Sequence, residues 1–543
     1  MTLGYVHFDR GSSDNTSCEV LVTRENAAQL LRNRYVKITN PLLDGAPVKS
    51  FLGRVLEGPY FRPEEVSPDS AIAQTPILEG DRFPVVPNYY AVGGIEILGE
   101  MRGNVVVGCN TRPVPKAKVE ILSTNELRDL LRIQGDMFFG LVDGYDDLEL
   151  RLDAKDKAVL PRNIGVFGTV GSGKTNTAQV LIEEAARHGW AVIVVDVEGE
   201  YIRMDEPTTQ LIARLDELSL KPNGLPKDHF KVYAPASAET GRKDAHRFTL
   251  RIADLDPLVI TELIEAAEAQ ERRLLEVIDW LNHQWQKTRK DAGNKSIKAA
   301  LDNDAPGDVP YTLETIMATI DEWAFVGKPT SAKGSSKPAS GADLYSYLAL
   351  KGKLGGLRRT GAFDTPGVDP ITPSDLIAPG LVTIFDVSFA NDRLKNLVIA
   401  QLLRSVFEYK RERQDAAPTM LMIEEAHTFI SAEKSGRMQE TIELLREIAR
   451  RGRKRWLGLT FISQQPSHLP NEIFELCNTR IVHNVKSQNN LRVLKTTAGD
   501  VSDEIWDLVP SLGVGQAICS TPQYRDPVVV NIRPSTTKRE FVD

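Results

Sequence analysis

The stretch GTVGSGKT (168–175) decides the fold of this chain, because it has the pattern of a phosphate-binding loop. It follows the apolar run NIGVF (163–167) and precedes TAQVLIEEAARHG (177–189), which has the composition of a helix. Between a strand and a helix, the pattern G-x-x-x-x-G-K-[ST] lets backbone N–H groups surround phosphates while the positive end of the helix faces the anion. The sequence therefore predicts a nucleotide site of the P-loop type.

The residues of this loop have different expected tasks. Lys174 would reach the β- and γ-phosphates of ATP, and Thr175 would hold Mg²⁺. The predicted cofactor-binding set is Gly168, Val170, Gly171, Ser172, Gly173, Lys174, Thr175 and Asn176.

Around the loop, short apolar runs alternate with helical patterns, which is typical of buried parallel strands joined by helices. The predicted strands are 163–168, 191–196, 382–387, 419–425, 457–463 and 479–483. The fold class expected is therefore α/β, a P-loop NTPase core of the RecA-like (ASCE) kind with a parallel sheet.

The rest of the chain divides by composition. Five short strands rich in Val, Ile and Tyr, separated by turn residues, predict a small amino-terminal β-barrel. The predicted domains are a barrel at 1–125, the first part of the core at 126–204, a helical insertion at 205–375, the second part of the core at 376–520 and an extended arm at 521–543.

Composition restricts the function. The chain has 66 Lys and Arg against 74 Asp and Glu, a net charge of −8, so any contact with nucleic acid must come from a local basic patch or from a ring formed by assembly. No apolar stretch reaches the length of a membrane span and the start lacks a signal-like apolar region, so we expect a cytoplasmic protein. The four cysteines form no CxxC pair, which argues against a zinc site.

A P-loop that hydrolyses ATP also needs a carboxylate near the metal and a base for water. TMLMIEEAH (419–427) supplies both after a buried strand: Glu424 would lie by Mg²⁺, usually through a water molecule, and Glu425 would polarise the attacking water. The alternative is that both acids merely open the next helix. Gln464, at the end of the next strand, could sense the γ-phosphate, or it could be a simple turn residue.

Taken together, these motifs resemble those of the HerA group of hexameric ATPases, within the HerA/FtsK superfamily of bacterial and archaeal DNA pumps. The resemblance covers nearly the whole chain: a barrel, GTVGSGKT, DVEGEY (196–201), a helical insertion, MIEEAH (422–427), IARRGRKRWLGLTFISQQP (448–466) and a closing arm. It implies a homohexameric ring with ATP at subunit interfaces and double-stranded DNA in the channel. It also implies an effector on the barrel face, either a NurA-like or other nuclease or a Sir2-like protein, in DNA repair or antiviral defence.

The run REIARRGRKR (446–455) carries six positive charges and allows three interpretations. It could be a solvated helix face, a DNA contact, or the source of an arginine finger that neutralises charge on a neighbour's γ-phosphate. By the family motif Arg450 is the expected trans-acting residue, with Arg453 as the second choice. The family also often places a basic residue at the position of Arg162, where it reaches the phosphates of the same subunit.

Two functions remain open at this point. One is an ATP-driven DNA translocase or helicase. The other is a nucleotide-gated scaffold that assembles and activates a defence effector with little movement along DNA. For the DNA contact, the loop with Asn391, Arg393 and Lys395 follows a predicted strand end and is a possible phosphate-binding segment.

Overall fold

The structure is a computed structural model that describes residues 1–7, 16–42, 48–63, 89–294, 309–329, 337–429, 439–497 and 501–540. These residues form two compact units. The first comprises Met1–Asp153 with Asp500–Ile532, and the second comprises Ala154–Gly499 with Arg533–Asp543.

The strands, in chain order, are β1 (Thr2–Val6), β2 (Ser17–Val22), β3 (Tyr35–Thr39), β4 (Ser50–Pro63), β5 (Tyr89–Arg102), β6 (Val105–Val107), β7 (Lys118–Ile121), β8 (Met137–Val142), β9 (Glu149–Leu152), β10 (Asn163–Phe167), β11 (Ala191–Asp196), β12 (Phe230–Pro235), β13 (His246–Phe248), β14 (Val382–Asp386), β15 (Thr419–Ile423), β16 (Leu457–Ser463), β17 (Cys477–Val482), β18 (Gln516–Ser520) and β19 (Val528–Ile532). The helices are α1 (Thr124–Leu131), α2 (Lys174–Arg187), α3 (Ile212–Glu217), α4 (Pro257–Leu263), α5 (Glu268–Asn294), α6 (Leu313–Phe325), α7 (Ala342–Arg359), α8 (Asp392–Glu412), α9 (Ala426–Phe429), α10 (Gln439–Arg451), α11 (Asn471–Leu476), α12 (Gln488–Thr497) and α13 (Asp503–Trp506).

The first unit contains the predicted barrel. Its strands pair in the order β2-β1-β7-β3-β4-β5-β6, and a further pairing of β2 with β5 closes the ring. The core of the barrel is formed by buried aliphatic and aromatic side chains, among them Val20, Val36, Phe51 and Ile95. Closure leaves the ring without free strand edges, which suits a barrel this small. A second, antiparallel sheet in this unit has the order β18-β19-β8-β9.

The second unit contains the predicted parallel sheet. Its strands have the order β13-β12-β14-β11-β15-β16-β10-β17, and every pairing is parallel. All residues of β11, β15 and β16 are buried, as expected for strands covered on both faces. All six strands predicted for the core are therefore confirmed, as is the α/β P-loop fold.

The segment predicted as a helical insertion contributes to the sheet as well. It holds helices α3 to α7, but β12 and β13 also lie within it and extend the sheet beyond β14. The domain boundaries drawn from the sequence stay predictions. Among the described residues, no helix combines the length and the apolar character that crossing a bilayer requires.

Candidate active site

The phosphate loop joins the end of β10 to the start of α2, as predicted. Gly171 (φ 73°) and Gly173 (φ 114°) adopt the left-handed backbone conformation that glycine accepts most readily. Thr169 donates to the backbone oxygen of Asn484 from its amide nitrogen (2.9 Å) and its hydroxyl (3.0 Å), which fixes the loop to the segment after β17. The loop is therefore anchored to the segment after β17, and the amino end of the 14-residue helix α2 follows directly.

Lys174 lies inside this loop. Its Nζ donates to the backbone oxygen of Thr169 (2.9 Å), and the residue is only 6% exposed. Burial lowers the pKa of Lys174, while the negative charges of Glu425, Glu424 and Glu200 oppose that shift. Three carboxylates from two other segments thus act on the lysine that would bind phosphate.

Parallel pairing explains why these segments meet. β15, β16 and β10 are adjacent, Phe167 is paired with Ser463, and the carboxyl ends of parallel strands share one edge of the sheet. The amide nitrogen of Gly168 even donates to the backbone oxygen of Ser463 (3.4 Å). The residues after Ser463 and after Ile423 therefore stand beside the loop.

Glu425 is oriented from two sides. The side-chain amide of Gln464 donates to its Oε1, and Nδ1 of His427 lies 3.1 Å from its Oε2. Glu425 is 5% exposed and has a φ of 45°, a conformation that costs a non-glycine residue energy and is found most often at functional sites. The structure thus brings Glu425 and Gln464 together, as the chemistry requires of a base that must orient water.

His427 is a site residue that the sequence reasoning missed. Besides approaching Glu425, its Nδ1 lies 3.2 Å from the hydroxyl of Ser463. Its place in MIEEAH, two residues after Glu425, was the available signal.

Glu424 has a different environment from its neighbour. Its Oε2 accepts from the amide nitrogens of Val197 (3.1 Å) and Glu198 (3.3 Å), and its Oε1 accepts from the Tyr201 hydroxyl (3.2 Å). Burial, followed by the charge of Asp196, raises the pKa of Glu424 well above its usual value. Burial likewise raises the pKa of Asp196 to about 7, and the negative charge of Asp386 adds to that shift.

These contacts bear on the predicted metal site. The Thr175 hydroxyl stands in the first turn of α2 and is half-buried, which fits a ligand to Mg²⁺ beside a nucleotide. Glu424 fits less well, because both of its oxygens accept hydrogen bonds from the DVEGEY segment. In this structure Glu424 supports that segment, and its contact with Mg²⁺ through water stays a prediction.

Two residues of the predicted cofactor-binding set have side chains directed elsewhere. Val170 is 80% exposed at the tip of the loop. Asn176 donates to the backbone oxygen of Arg533 (2.9 Å) and accepts from the amide nitrogen of Ser535 (2.8 Å). The side chain of Asn176 therefore binds the closing segment of the chain, which leaves its backbone N–H for a nucleotide.

Arg162 and Arg450 lie at the other edge of the sheet. Arg162 immediately precedes β10, and α10 ends at Arg451, shortly before β16 begins at Leu457. At about 3.3 Å per residue, the length of a strand places both roughly 20 Å from the phosphate loop. Arg162 is separated from the phosphate loop by the length of β10, and the expectation that it reaches the phosphates of its own subunit stays a prediction.

Within the basic run, the expected arginine finger is exposed. Arg451 pairs with Glu447 and Arg446 with Glu443. Arg450 and Arg453 are exposed, and neither side chain forms an ion pair or a hydrogen bond with the described residues. Part of the run is thus a solvated helix face, and the two arginines favoured by the motif point into solvent.

The chain is similar to known proteins of the HerA group. Residues 138–406 match the family model described as "Helicase HerA, central domain". The DNA double-strand break repair helicase HerA of Pyrococcus furiosus is 23% identical over 489 residues, which is 82% of this chain and 78% of that protein. The protein of the same name from Sulfolobus acidocaldarius is 21% identical over 541 residues, 98% of this chain and 93% of that one.

VirB4 of Thermoanaerobacter pseudethanolicus aligns with 73% of this chain and 96% of its own, at 14% identity and a TM-score of 0.49.

Proposed function

Because the chain belongs to the HerA family of P-loop ATPases, we propose that it is an ATP-driven motor on double-stranded DNA, a translocase or helicase that works as a homohexameric ring with an effector protein. One observation carries the proposal: the phosphate loop, Glu425 and Gln464 meet at one edge of the sheet. This is the arrangement that ATP hydrolysis requires. We infer DNA as the substrate because the relatives are named as DNA double-strand break repair helicases.

The residues divide the chemistry between them. Lys174 and the backbone of the loop bind the phosphates, and Thr175 contributes a ligand to Mg²⁺, which when bound neutralises charge on the phosphates. Glu425 polarises the attacking water, while Gln464 and His427 hold its carboxylate in place. Glu424 secures the DVEGEY segment against the site.

The position of Arg450 supports a ring. It is exposed at the edge of the sheet opposite its own phosphate loop, so any phosphate that it neutralises belongs to another subunit. In a ring of identical subunits the loop edge of one faces the arginine edge of the next. Hydrolysis would then occur only where two subunits meet.

A basic cavity supports the DNA contact. Arg359, Thr360, Asn391, Asp392, Arg393 and Gly356 line a cavity of about 480 Å³ at the start of α8. A Cβ atom on Gly356 would lie 2.6 Å from Nη1 of Arg393, so the absence of a side chain there makes room for the guanidinium. Neither arginine forms an ion pair with the described residues, and both are suited to a backbone phosphate.

The effector would dock on the barrel. Tyr5, Tyr60 and Phe61 are each about half exposed on strands β1 and β4 and offer an apolar surface to a partner. A nuclease is the effector that fits a role in DNA end processing, and a Sir2-like protein is the alternative in antiviral defence.

The second candidate, a nucleotide-gated scaffold, uses the same site. Steady-state ATP hydrolysis with and without long linear duplex DNA separates the two, with Glu425→Gln as the inactive control. The motor predicts that DNA raises the rate several-fold in the native chain and leaves the variant inactive. A rate indifferent to DNA, or an effector fully active in the Glu425→Gln variant, favours the scaffold.

A further inference from the structure

The segment Arg533–Glu540, here called the closing segment, lies along the helix that follows the phosphate loop. Besides its bonds to Asn176, it places the buried Arg533 guanidinium 2.8 Å from Glu183 and 2.9 Å from Glu184. Glu183 also accepts from the amide nitrogens of Thr536 (2.8 Å) and Thr537 (2.9 Å). The closing segment is thus fixed to α2 from its first turn onward.

The far end of this segment lies against the DVEGEY segment. Arg539 forms an ion pair with Glu200, and the amide nitrogen of Glu540 donates to the backbone oxygen of Glu200 (3.0 Å). The residue after Glu200 is Tyr201, whose hydroxyl donates to Glu424. The Arg539–Glu200 pair therefore stands next to the site, and both charges act on the Lys174 ammonium: Glu200 raises its pKa and Arg539 lowers it.

The energetics favour an exchange of partners. The side chains of Arg539 and Glu200 are 34% and 17% exposed, so the pair keeps some contact with water, and screening by water reduces its net contribution to stability. A triphosphate brings several negative charges to Lys174 and offers a guanidinium two oxygens at once. An arginine held beside the loop by a partly hydrated ion pair with Glu200 would therefore exchange that carboxylate for the phosphates.

We propose that Arg539 binds the phosphates of ATP in its own subunit, and that Glu200 holds it beside the phosphate loop until the nucleotide arrives. The inference rests on the proposed ATPase function and adds a nucleotide-binding residue to it. Because the closing segment is fixed to α2, the exchange also couples its end to the nucleotide state.

The test is equilibrium binding of fluorescent ATP with Mg²⁺ to the full chain and to five variants. Arg539→Ala should weaken ATP binding about tenfold or more, as expected for a lost hydrogen bond to a charged group. Arg539→Lys keeps the charge and should recover part of the loss. Lys538→Ala is the matched control, because Lys538 directly precedes Arg539 in the closing segment and forms an ion pair of its own with Glu206 (2.7 Å). The Lys538→Ala variant should bind ATP as the native chain does.

Glu200→Gln separates a phosphate contact from a structural ion pair. If Arg539 binds phosphate, Glu200→Gln releases it and ATP binds as tightly as before or more tightly. If the pair only supports the fold, Glu200→Gln and Arg539→Ala weaken ATP binding to the same extent, which overturns the inference, as does unchanged binding by Arg539→Ala. A melting curve for each variant shows whether it is folded. If Arg539→Ala does not fold, the ATP affinity of Arg539→Lys is compared with that of the native chain instead. Loss of binding in Lys174→Ala, with normal binding in Arg539→Ala, would reject this inference and leave the ATPase function intact.

Discussion

The side-chain amide of Gln464 donates a hydrogen bond to Oε1 of Glu425, and this bond joins the ends of two neighbouring strands at the mouth of the phosphate loop. Glu425 follows β15 and Gln464 follows β16, so the rigid sheet sets the distance between them. A contact of this kind can transmit the presence of a γ-phosphate at Gln464 to the base that activates water.

Replacing Glu425 by Gln should abolish hydrolysis while ATP still binds. The substitution keeps the shape of the side chain but removes the base, which lowers turnover about 10²- to 10⁴-fold. Steady-state hydrolysis and equilibrium ATP binding measure the two properties separately. Glu443→Gln, on the exposed face of α10, is the matched control, and a comparable loss there would show that the effect is not specific to the site.

Replacing Gln464 by Ala should reduce kcat about tenfold to a hundredfold, because a misplaced base loses its alignment with the water. The affinity for ATP should change little, since the phosphate loop is anchored independently through Thr169 and Asn484. Pre-steady-state hydrolysis under single-turnover conditions isolates the chemical step. A variant with unchanged kcat and weakened ATP binding would make Gln464 a simple binding residue.

Replacing Arg450 by Ala should lower hydrolysis about 10³-fold or more, the size of an arginine-finger effect, and leave ATP binding intact. Arg451→Ala, which removes a residue already paired with Glu447, is the matched control. Mixing subunits tests action across an interface: Arg450→Ala and Lys174→Ala are each inactive, but a mixed ring contains interfaces with an intact loop and an intact arginine. Recovered activity on mixing supports the trans arrangement, and none recovered argues against it.

The Asp196–Glu424 pair predicts a pH-dependent stability. Both pKa values are raised in the folded chain, that of Asp196 to about 7, above the values of about 3.9 and 4.3 in an unfolded chain. The folded state therefore binds more protons, and the free energy of unfolding that this pair contributes falls as pH rises from about 4 through 7. Glu424→Gln removes one of the two carboxyls but can still accept from the amides of Val197 and Glu198. The melting temperature of the variant minus that of the native chain should therefore increase from pH 5 to pH 8. A difference that does not change with pH would contradict this account.

Much of the fold could be predicted because its signals are local. The loop, the strand before it and the apolar runs of β11, β14, β15 and β16 are each visible in a few consecutive residues. Strands β13 and β6 were missed because each has only three residues, and two of the three residues of β13, His246 and Arg247, are polar.

The site was less predictable, because burial and long-range partners decide it. Nothing in MIEEAH shows that Glu424 accepts from amides more than 200 residues away, while Glu425 faces Gln464. Arg539 lies 339 residues from Glu200, and only the folded closing segment reveals their pairing.

Movement along DNA is the central claim, and displacement of a third strand from a triplex measures it most directly. The purified chain is supplied with ATP and a long duplex that carries a labelled triplex-forming strand at one end, beside the Glu425→Gln variant and a non-hydrolysable ATP analogue. The motor predicts release of the labelled strand by the native chain with ATP, and none by the variant or with the analogue. ATP hydrolysis by the native chain without release of the strand would contradict a translocating motor and leave the nucleotide-gated scaffold as the better account.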